Sequence, residues 1–403
     1  MTELHGQPAA HAPGAPTIAV IGDGQLARMM QTEAIELGLS LRLLAAAKDP
    51  SAAQVVADLW EGDYHELSDL EEVVDGADAV TFDHEHVPNE HLDELIGRGV
   101  NVQPRPSALI YAQDKLLQRE KMAELGLPVP AFSAVESPAD AEQFFARTGG
   151  RVCLKARRGG YDGHGVWFPK GEEELSSLVE KLLGEDVPLM AEEALDFTRE
   201  LSAMVARRPS GEVAAWPIVE SVQSGGICSE AVAPAPGLGE KEAARAREIA
   251  RTVAEELGVT GVLAVELFEV AGEGGPEVVI NELAMRPHNT GHWTQDGSVT
   301  SQFEQHLRAV LDWPLGATDP VGGTTAMVNT LGADEEPETP LSERVAAVWE
   351  RYPQAKIHLY GKSHRPGRKL GHVNVTAEDP EEARRVAREA AHVIVQGDWP
   401  AAD

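Results

Sequence analysis

Short apolar runs alternating with helix-like stretches are the first pattern along this chain. Residues 17–22 (TIAVIG) read as a buried strand entering a Gly-rich turn, and 24–38 carry a helical period that stops at Gly38. LSLRLLA (40–46) and AVTFD (79–83) are further strands, and NVQPRPS (101–107) closes the unit. Strands in alternation with helices predict a parallel sheet covered by helices. A helical stretch over 108–125 ends at Gly126 ahead of Pro128 and Pro130, which marks a domain junction.

Beyond that junction, RVCLKA (151–156) and GVWFPK (165–170) flank a Gly-rich connection and predict a hairpin. A helix over 172–183 and a strand over 188–195 follow. ELSAMVAR (200–207) and VAAWPIVE (213–220) predict a second hairpin, and 240–257 a helix. VLAVELFEV (262–270) and EVVINELAM (277–285) are strands joined by a short turn. The turn-rich stretch 314–324 precedes a last domain.

Charge narrows the partners. Among 403 residues, 66 are acidic and 34 basic, a net charge of −32. Such a surface repels nucleic acid and anionic membranes, so neither is expected as a partner, and local clusters of cations stand out. No apolar run reaches the ~18 residues of a membrane span. Residues 1–16 lack the basic start and apolar centre of a signal peptide and read as a disordered tail. Cys153 and Cys228 alone support neither a disulfide framework nor a zinc ribbon, which fits a reducing compartment.

Several segments carry candidate chemistry. Gly22-Asp23-Gly24-Gln25-Leu26-Ala27 has the glycine spacing of a phosphate-binding turn between strand and helix. A dinucleotide site also wants an acidic residue closing the second strand, where Ala45-Ala46-Ala47-Lys48 stands instead. The turn is therefore read as serving another anionic ligand. Asp83-His84-Glu85-His86 is a polar strand end, with Glu85 a candidate substrate ligand. Lys155 precedes Arg157-Arg158-Gly159-Gly160-Tyr161-Asp162-Gly163-His164-Gly165, whose glycines let backbone N–H groups approach an anion while Lys155 supplies a point charge. Gly361-Lys362-Ser363 ends like a P-loop, but Lys356 occupies the position of its first glycine.

Glu266 lies in an apolar strand on one face with Val262, Ala264 and Phe268, and Glu282 shares a face with Val278 and Ile280. Carboxylates among apolar neighbours need a cation. If the two strands pair antiparallel, both carboxylates reach one point and form an oxygen site suited to Mg²⁺. Arg286-Pro287-His288-Asn289 follows directly, a polar loop fit for a small anion. Lys362, Arg365, Arg368 and Lys369 reverse the chain's acidity within eight residues, and the Pro366-Gly367 turn can gather them around an anion.

GDGQLARMM, KARRGGYDGHGVW, AEEALDFTRELS, INELAMRPHNTGHWT and KSHRPGRKLGH, in this order over about 17–375, resemble the N5-carboxyaminoimidazole ribonucleotide synthase family of ATP-grasp carboxylases in microbial purine biosynthesis. The resemblance implies an α/β ATP-grasp fold. A parallel-sheet, Rossmann-like substrate-binding domain would span 17–114. The ATP-grasp domain would span 115–316, with its lid at about 130–195, and a small C-terminal domain 317–403. It further implies ATP-dependent carboxylation of 5-aminoimidazole ribonucleotide with bicarbonate, through carboxyphosphate, in a cytoplasmic homodimer. The cofactor would be Mg²⁺, with Mn²⁺ as substitute.

On the matching positions, the resemblance assigns ATP contacts to Lys115, Lys155, Gly160, Tyr161, Asp162, Gly163, His164, Gly165, Val166, Glu192, Glu193, Ala194, Leu195, Glu200, Gln223, Asn281 and Glu282. Glu266 and Glu282 would hold the metal. Arg286, His288 and Asn289, with Tyr161 and Asp162, would line the reacting centre. Gln25, Leu26, Glu85, Lys362, Arg365 and Arg368 would bind the ribonucleotide. His164 stands where the family favours arginine, Met285 for a proline, Lys115 for an arginine, and Asp83-His84-Glu85-His86 for a Glu-Phe-Glu-Asn run. Other ATP-grasp acyl-phosphate enzymes, such as formate-dependent glycinamide ribonucleotide transformylase or biotin carboxylase, would share the nucleotide site. An NAD-dependent dehydrogenase and a non-catalytic nucleotide-binding module are more distant alternatives.

Overall fold

The computed structural model describes residues 11–46, 51–160 and 164–401. Its first sheet has four parallel strands in the order Asp58–Glu61, Ser40–Ala45, Thr17–Ile21, Ala79–Phe82. Ile18 and Val20 pack on one side with Met29 and Met30, and Ala19 and Ile21 on the other with Leu70 and Leu92. Burial on both faces explains why these strands read as unbroken apolar runs. The 101–107 segment adds only a bridge from Val102 to Val80, because Pro104 and Pro106 lack the N–H a ladder requires.

Where one helix is expected over 108–125, two form, Pro106–Gln113 and Lys115–Glu124. Asp114 between them is extended, and its carboxylate accepts the N–H groups of Leu116 and Leu117. A side-chain cap starts a new helix there although the apolar period runs through. Residues 11–16 correct part of the expected tail. His11 Nε2 lies 2.6 Å from Asp58 Oδ2, and the Ala12 N–H donates to Ser40 Oγ at 3.0 Å, so polar contacts tie this segment to the first sheet.

A second, antiparallel sheet runs Phe132–Val135, Leu189–Glu193, Val152–Ala156, Val166–Trp167. The expected hairpin is present, with Lys155 opposite Val166. Helices Pro138–Arg147 and Glu172–Gly184 back this sheet through Phe144, Leu175 and Val179.

The third sheet has nine strands. From one edge they run Gly275–Ala284, Gly261–Gly272, Phe197–Arg207, Val219–Ser224, Ile227–Ala233, Thr324–Leu331, Lys369–Ala377 and Lys356–Leu359, with Val213–Ala215 beside Phe197–Arg207. Pairing between Ile227–Ala233 and Thr324–Leu331 carries the central sheet into the C-terminal segment without a break. Helix Pro380–Gln396 covers that end, burying Val386, Ala390 and Ile394 against Val348 and Val373. Among the described residues no helix is long and apolar enough to cross a membrane.

Candidate active site

A cavity of about 1280 Å³ lies where the three sheets meet. Sites for one small molecule are typically roughly 300–1,000 Å³, so this one has room for two reactants. Gln25, Leu26 and Glu85 line it from the first sheet's domain. Lys155, Gly160, Val166 and Glu192 to Leu195 line it from the second sheet. Glu200, Gln223, Glu266, Asn281 and Glu282 line it from the third, beside Lys115, Arg286, His288 and Asn289.

The carboxylate pair forms by strand register. Gly261–Gly272 and Gly275–Ala284 pair antiparallel with Glu266 opposite Glu282. Glu266 shares the cavity side with Phe268, as its alternation predicts. The expected neighbours of Glu282 need correction, since Val278 and Ile280 sit in the core with Leu283. Between the pairs Glu266–Glu282 and Leu267–Ile280 the register slips, leaving Asn281 as an extra residue. Such a bulge sends two consecutive side chains, Asn281 and Glu282, toward one side and re-aims a polar residue out of an apolar stripe.

Cations are held against these oxygens. Lys115 Nζ pairs with Glu282. Lys155 Nζ lies 2.8 Å from Glu192 Oε2 and 3.4 Å from Asn281 Oδ1. Arg119, one helical turn beyond Lys115, pairs with Glu192 at 2.8 Å and also donates to the Asn281 carbonyl. Glu192 is only 2% exposed. Burial alone would raise its carboxyl, but the Arg119 and Lys155 cations outweigh that and hold it at about 2. Burial likewise opposes ionisation of Glu282, and Lys115 keeps it below the ordinary carboxylate value. Glu200 goes the other way, pushed up to about 7 by burial and then by the charge of Glu266.

Arg286 Nε lies 2.8 Å from Glu85 Oε2, joining the third sheet to the first domain. Burial works against the Arg286 cation, and Glu85 more than offsets it. The second oxygen of Glu85 is buried and has no hydrogen-bond partner among the described residues, which leaves an acceptor for a ligand. His288 Nε2 stands 3.1 Å from Glu266 Oε1, and its backbone N–H donates to Gln302 Oε1 at 2.7 Å.

At the first domain's turn, the Gly24 N–H donates to Asp83 Oδ2 at 2.6 Å. A Cβ on Gly22, whose φ is +128°, would collide with the same carboxylate. The chain thus fills its own phosphate-type turn with Asp83, whose carboxyl burial pushes up to about 7. Gln25 begins the next helix, lines the cavity and accepts from Lys362 Nζ.

The basic segment is only partly gathered. Lys369 lines the cavity, Lys362 reaches it through Gln25, and Arg368 donates to the Ser363 carbonyl and hydroxyl at 3.0 and 2.9 Å. Arg365 is exposed and does not line the cavity. The Pro366-Gly367 turn, fastened by the Gly367 N–H to the Gly332 carbonyl at 2.8 Å, separates it from Lys369. Tyr161, Asp162 and Gly163 lie outside the described residues. His164 and Gly165 are absent from the cavity wall, where Gly160 and Val166 stand.

Three oxygen-bearing side chains, Glu266, Glu282 and Asn281, meet here, a hard donor set that suits Mg²⁺. Burial first, and then the charge of Glu266, raises the Glu200 carboxyl beside this set. Sequence reasoning missed Arg119, Asp83 and Asp114, and the Phe197–Phe268 stack at 4.5 Å on the cavity wall. Arg119 had a signal, since it follows Lys115 by four residues on one helix face.

The chain matches the ribonucleotide synthetase preATP-grasp domain over residues 15–113 and the ATP-grasp domain over 120–303. Residues 325–386 match the phosphoribosylaminoimidazole carboxylase C-terminal domain. It is 62% identical over 395 residues to the N5-carboxyaminoimidazole ribonucleotide synthase of Corynebacterium ammoniagenes, covering 98% of this chain and 95% of that one. Two solved structures of the Aspergillus clavatus enzyme are similar. One is complexed with ATP (31% identity, TM-score 0.84, 94% of this chain and 98% of that one). The other is in complex with ADP and 5-aminoimidazole ribonucleotide (29% identity, TM-score 0.84, the same coverage).

Proposed function

The chain belongs to the N5-carboxyaminoimidazole ribonucleotide synthase family, and from that premise we propose how its own residues carry out the reaction. It is an ATP-grasp ligase of purine biosynthesis that uses ATP to carboxylate 5-aminoimidazole ribonucleotide. The carrying observation is the Glu266–Glu282 register pair, set between Lys115 and Lys155 on one side and Arg286 on the other, in a cavity with room for two reactants.

Lys115 and Lys155 face the nucleotide phosphates as point charges. Gly160 and Val166 border the phosphates, with the residues between them assigned to the lid by the resemblance, Glu193 to Leu195 border the adenine, and Glu200 with Gln223 address the ribose. Glu192 fixes Lys155 and Arg119 in place. Glu266 and Glu282, with Asn281 beside them, would hold Mg²⁺ or Mn²⁺, which when bound neutralises phosphate charge.

Bicarbonate enters beside Arg286. One of its oxygens bonds to the γ-phosphorus as the bond to ADP breaks, giving carboxyphosphate. This loses phosphate as CO₂ forms. The amine nitrogen of the aminoimidazole bonds to CO₂ and releases a proton, leaving the N5-carbamate. Arg286, held by Glu85, stabilises the charge that develops on the carboxyl oxygens. His288 and Asn289 line that pocket, with Tyr161 and Asp162 assigned to its rim by the resemblance. Gln25, Leu26 and the open oxygen of Glu85 border the ribonucleotide, whose phosphate faces Lys369 and Lys362, with Arg368 behind them. Exclusion of water protects the intermediates from hydrolysis. A cytoplasmic homodimer completes the reading.

ADP release measured with each candidate substrate tests it. ATP turnover depends on 5-aminoimidazole ribonucleotide, and carbamate formation needs bicarbonate. Turnover driven by formate and glycinamide ribonucleotide would overturn the substrate assignment.

A further inference from the structure

Asp114 stands where the helix carrying Lys115 meets the strand carrying Lys155. Its side chain is buried and accepts from five donors. Two are the N–H groups of Leu116 and Leu117, at 3.1 and 3.3 Å. Three come from Arg157 and Arg158, whose Nε atoms lie at 3.1 Å each and the Arg157 Nη2 at 2.8 Å. A second link runs beside these, the Lys115 N–H donating to the Arg157 carbonyl at 2.9 Å. Arg157 directly follows strand Val152–Ala156, which holds Lys155. Gly160, further along the same segment, comes so close that a Cβ there would lie 3.7 Å from Lys115 Cε.

A helix cap needs one oxygen acceptor, which asparagine or serine supplies as well as aspartate. Two arginines on the same carboxylate exceed that need, and a forked guanidinium contact fixes direction as well as distance. We propose that Asp114 is a positioning residue for the nucleotide, locking the helix start at Lys115 to the strand end at Lys155 and so setting the spacing of the two ammonium groups that face the phosphates. The proposal rests on the reading of those lysines as phosphate contacts. Lys115 and Lys155 come from separate elements, and neither Glu282 nor Glu192 bridges both. Asp114 supplies that bridge through the backbone.

Asp114→Asn keeps a capping oxygen and loses the charge that holds the arginines. The dissociation constant of ADP and the KM for ATP rise about tenfold, corresponding to about 1.4 kcal/mol. The KM for 5-aminoimidazole ribonucleotide stays within about twofold, and the helix cap itself remains. The double variant Arg157→Gln/Arg158→Gln leaves the cap untouched and weakens ADP binding by a similar factor. Adding Asp114→Asn to it costs nothing further, since both act on one lock. If both variants bind ADP as the parent does, Asp114 is a helix cap only and the proposal is overturned. Lys155→Met separates the premise. Unchanged ADP affinity in that variant removes Lys155 from the phosphates and overturns the premise and the proposal together.

Discussion

Glu192→Gln removes the charge at the centre of a buried network. Glu192 is 2% exposed, and its two oxygens lie 2.8 Å from Arg119 and 2.8 Å from Lys155. Glutamine keeps the shape and one acceptor but leaves two cations without their counter-charge. Removing one partner of a buried ion pair costs about 3–5 kcal/mol. The carboxyl gives a second measure. Its value falls from 4.5 to about 2 on folding, and at about 1.4 kcal/mol for each tenfold change this corresponds to about 3 kcal/mol. A depressed folded value means that the stabilisation is fully present above the unfolded value of 4.5. It is lost as pH falls through the folded value of about 2. Guanidinium unfolding of parent and variant in parallel, from pH 7 down to pH 3, checks this. The variant is less stable by about 3 kcal/mol at pH 7, and the gap narrows below pH 4.5. A gap under about 0.5 kcal/mol at pH 7, or one that does not change with pH, would refute the reasoning.

The other perturbations probe the two ends of the cavity. Glu282→Gln raises the Mg²⁺ concentration for half-maximal turnover at least about tenfold and lowers turnover to near background; a near-normal rate removes Glu282 from the metal site. Arg286→Lys loses the directed contact to Glu85 and lowers kcat about a hundredfold while the KM for ATP holds; a change confined to the KM for ATP would place Arg286 at the nucleotide instead. Gly22→Ala forces a side chain into a backbone at φ +128° and against Asp83, costing about 1–3 kcal/mol from strain alone; an unchanged thermal midpoint would show that the turn relaxes freely.

The parts of this site governed by local periodicity were legible in the sequence. Alternation in VLAVELFEV put Glu266 on its observed side, and the short turn brought Glu282 opposite it. The same rule misplaced Glu282 relative to Val278 and Ile280, because alternation carries no sign of a one-residue bulge. Asp114 hid inside an apolar helical period, so its break became visible only through the contacts its carboxylate makes with Arg157 and Arg158. The glycines of the first turn suggested an external anion, whereas Asp83, some sixty residues on, fills it. Proximity in sequence also overstated the basic segment. Four cations lie within eight residues, yet a turn leaves Arg365 exposed in the loop while Lys369 opens the next strand and lines the cavity. Long-range pairings of this kind depend on the tertiary arrangement, which single-chain patterns do not encode.

In the proposed reaction, bicarbonate attacks the γ-phosphorus inside this cavity. Turnover with ¹⁸O-labelled bicarbonate, ATP and 5-aminoimidazole ribonucleotide, followed by mass analysis of the released phosphate, tests it most directly. Carboxyphosphate formation predicts one bicarbonate oxygen in each phosphate and two in the carbamate. Unlabelled phosphate formed at the same rate as product would contradict it.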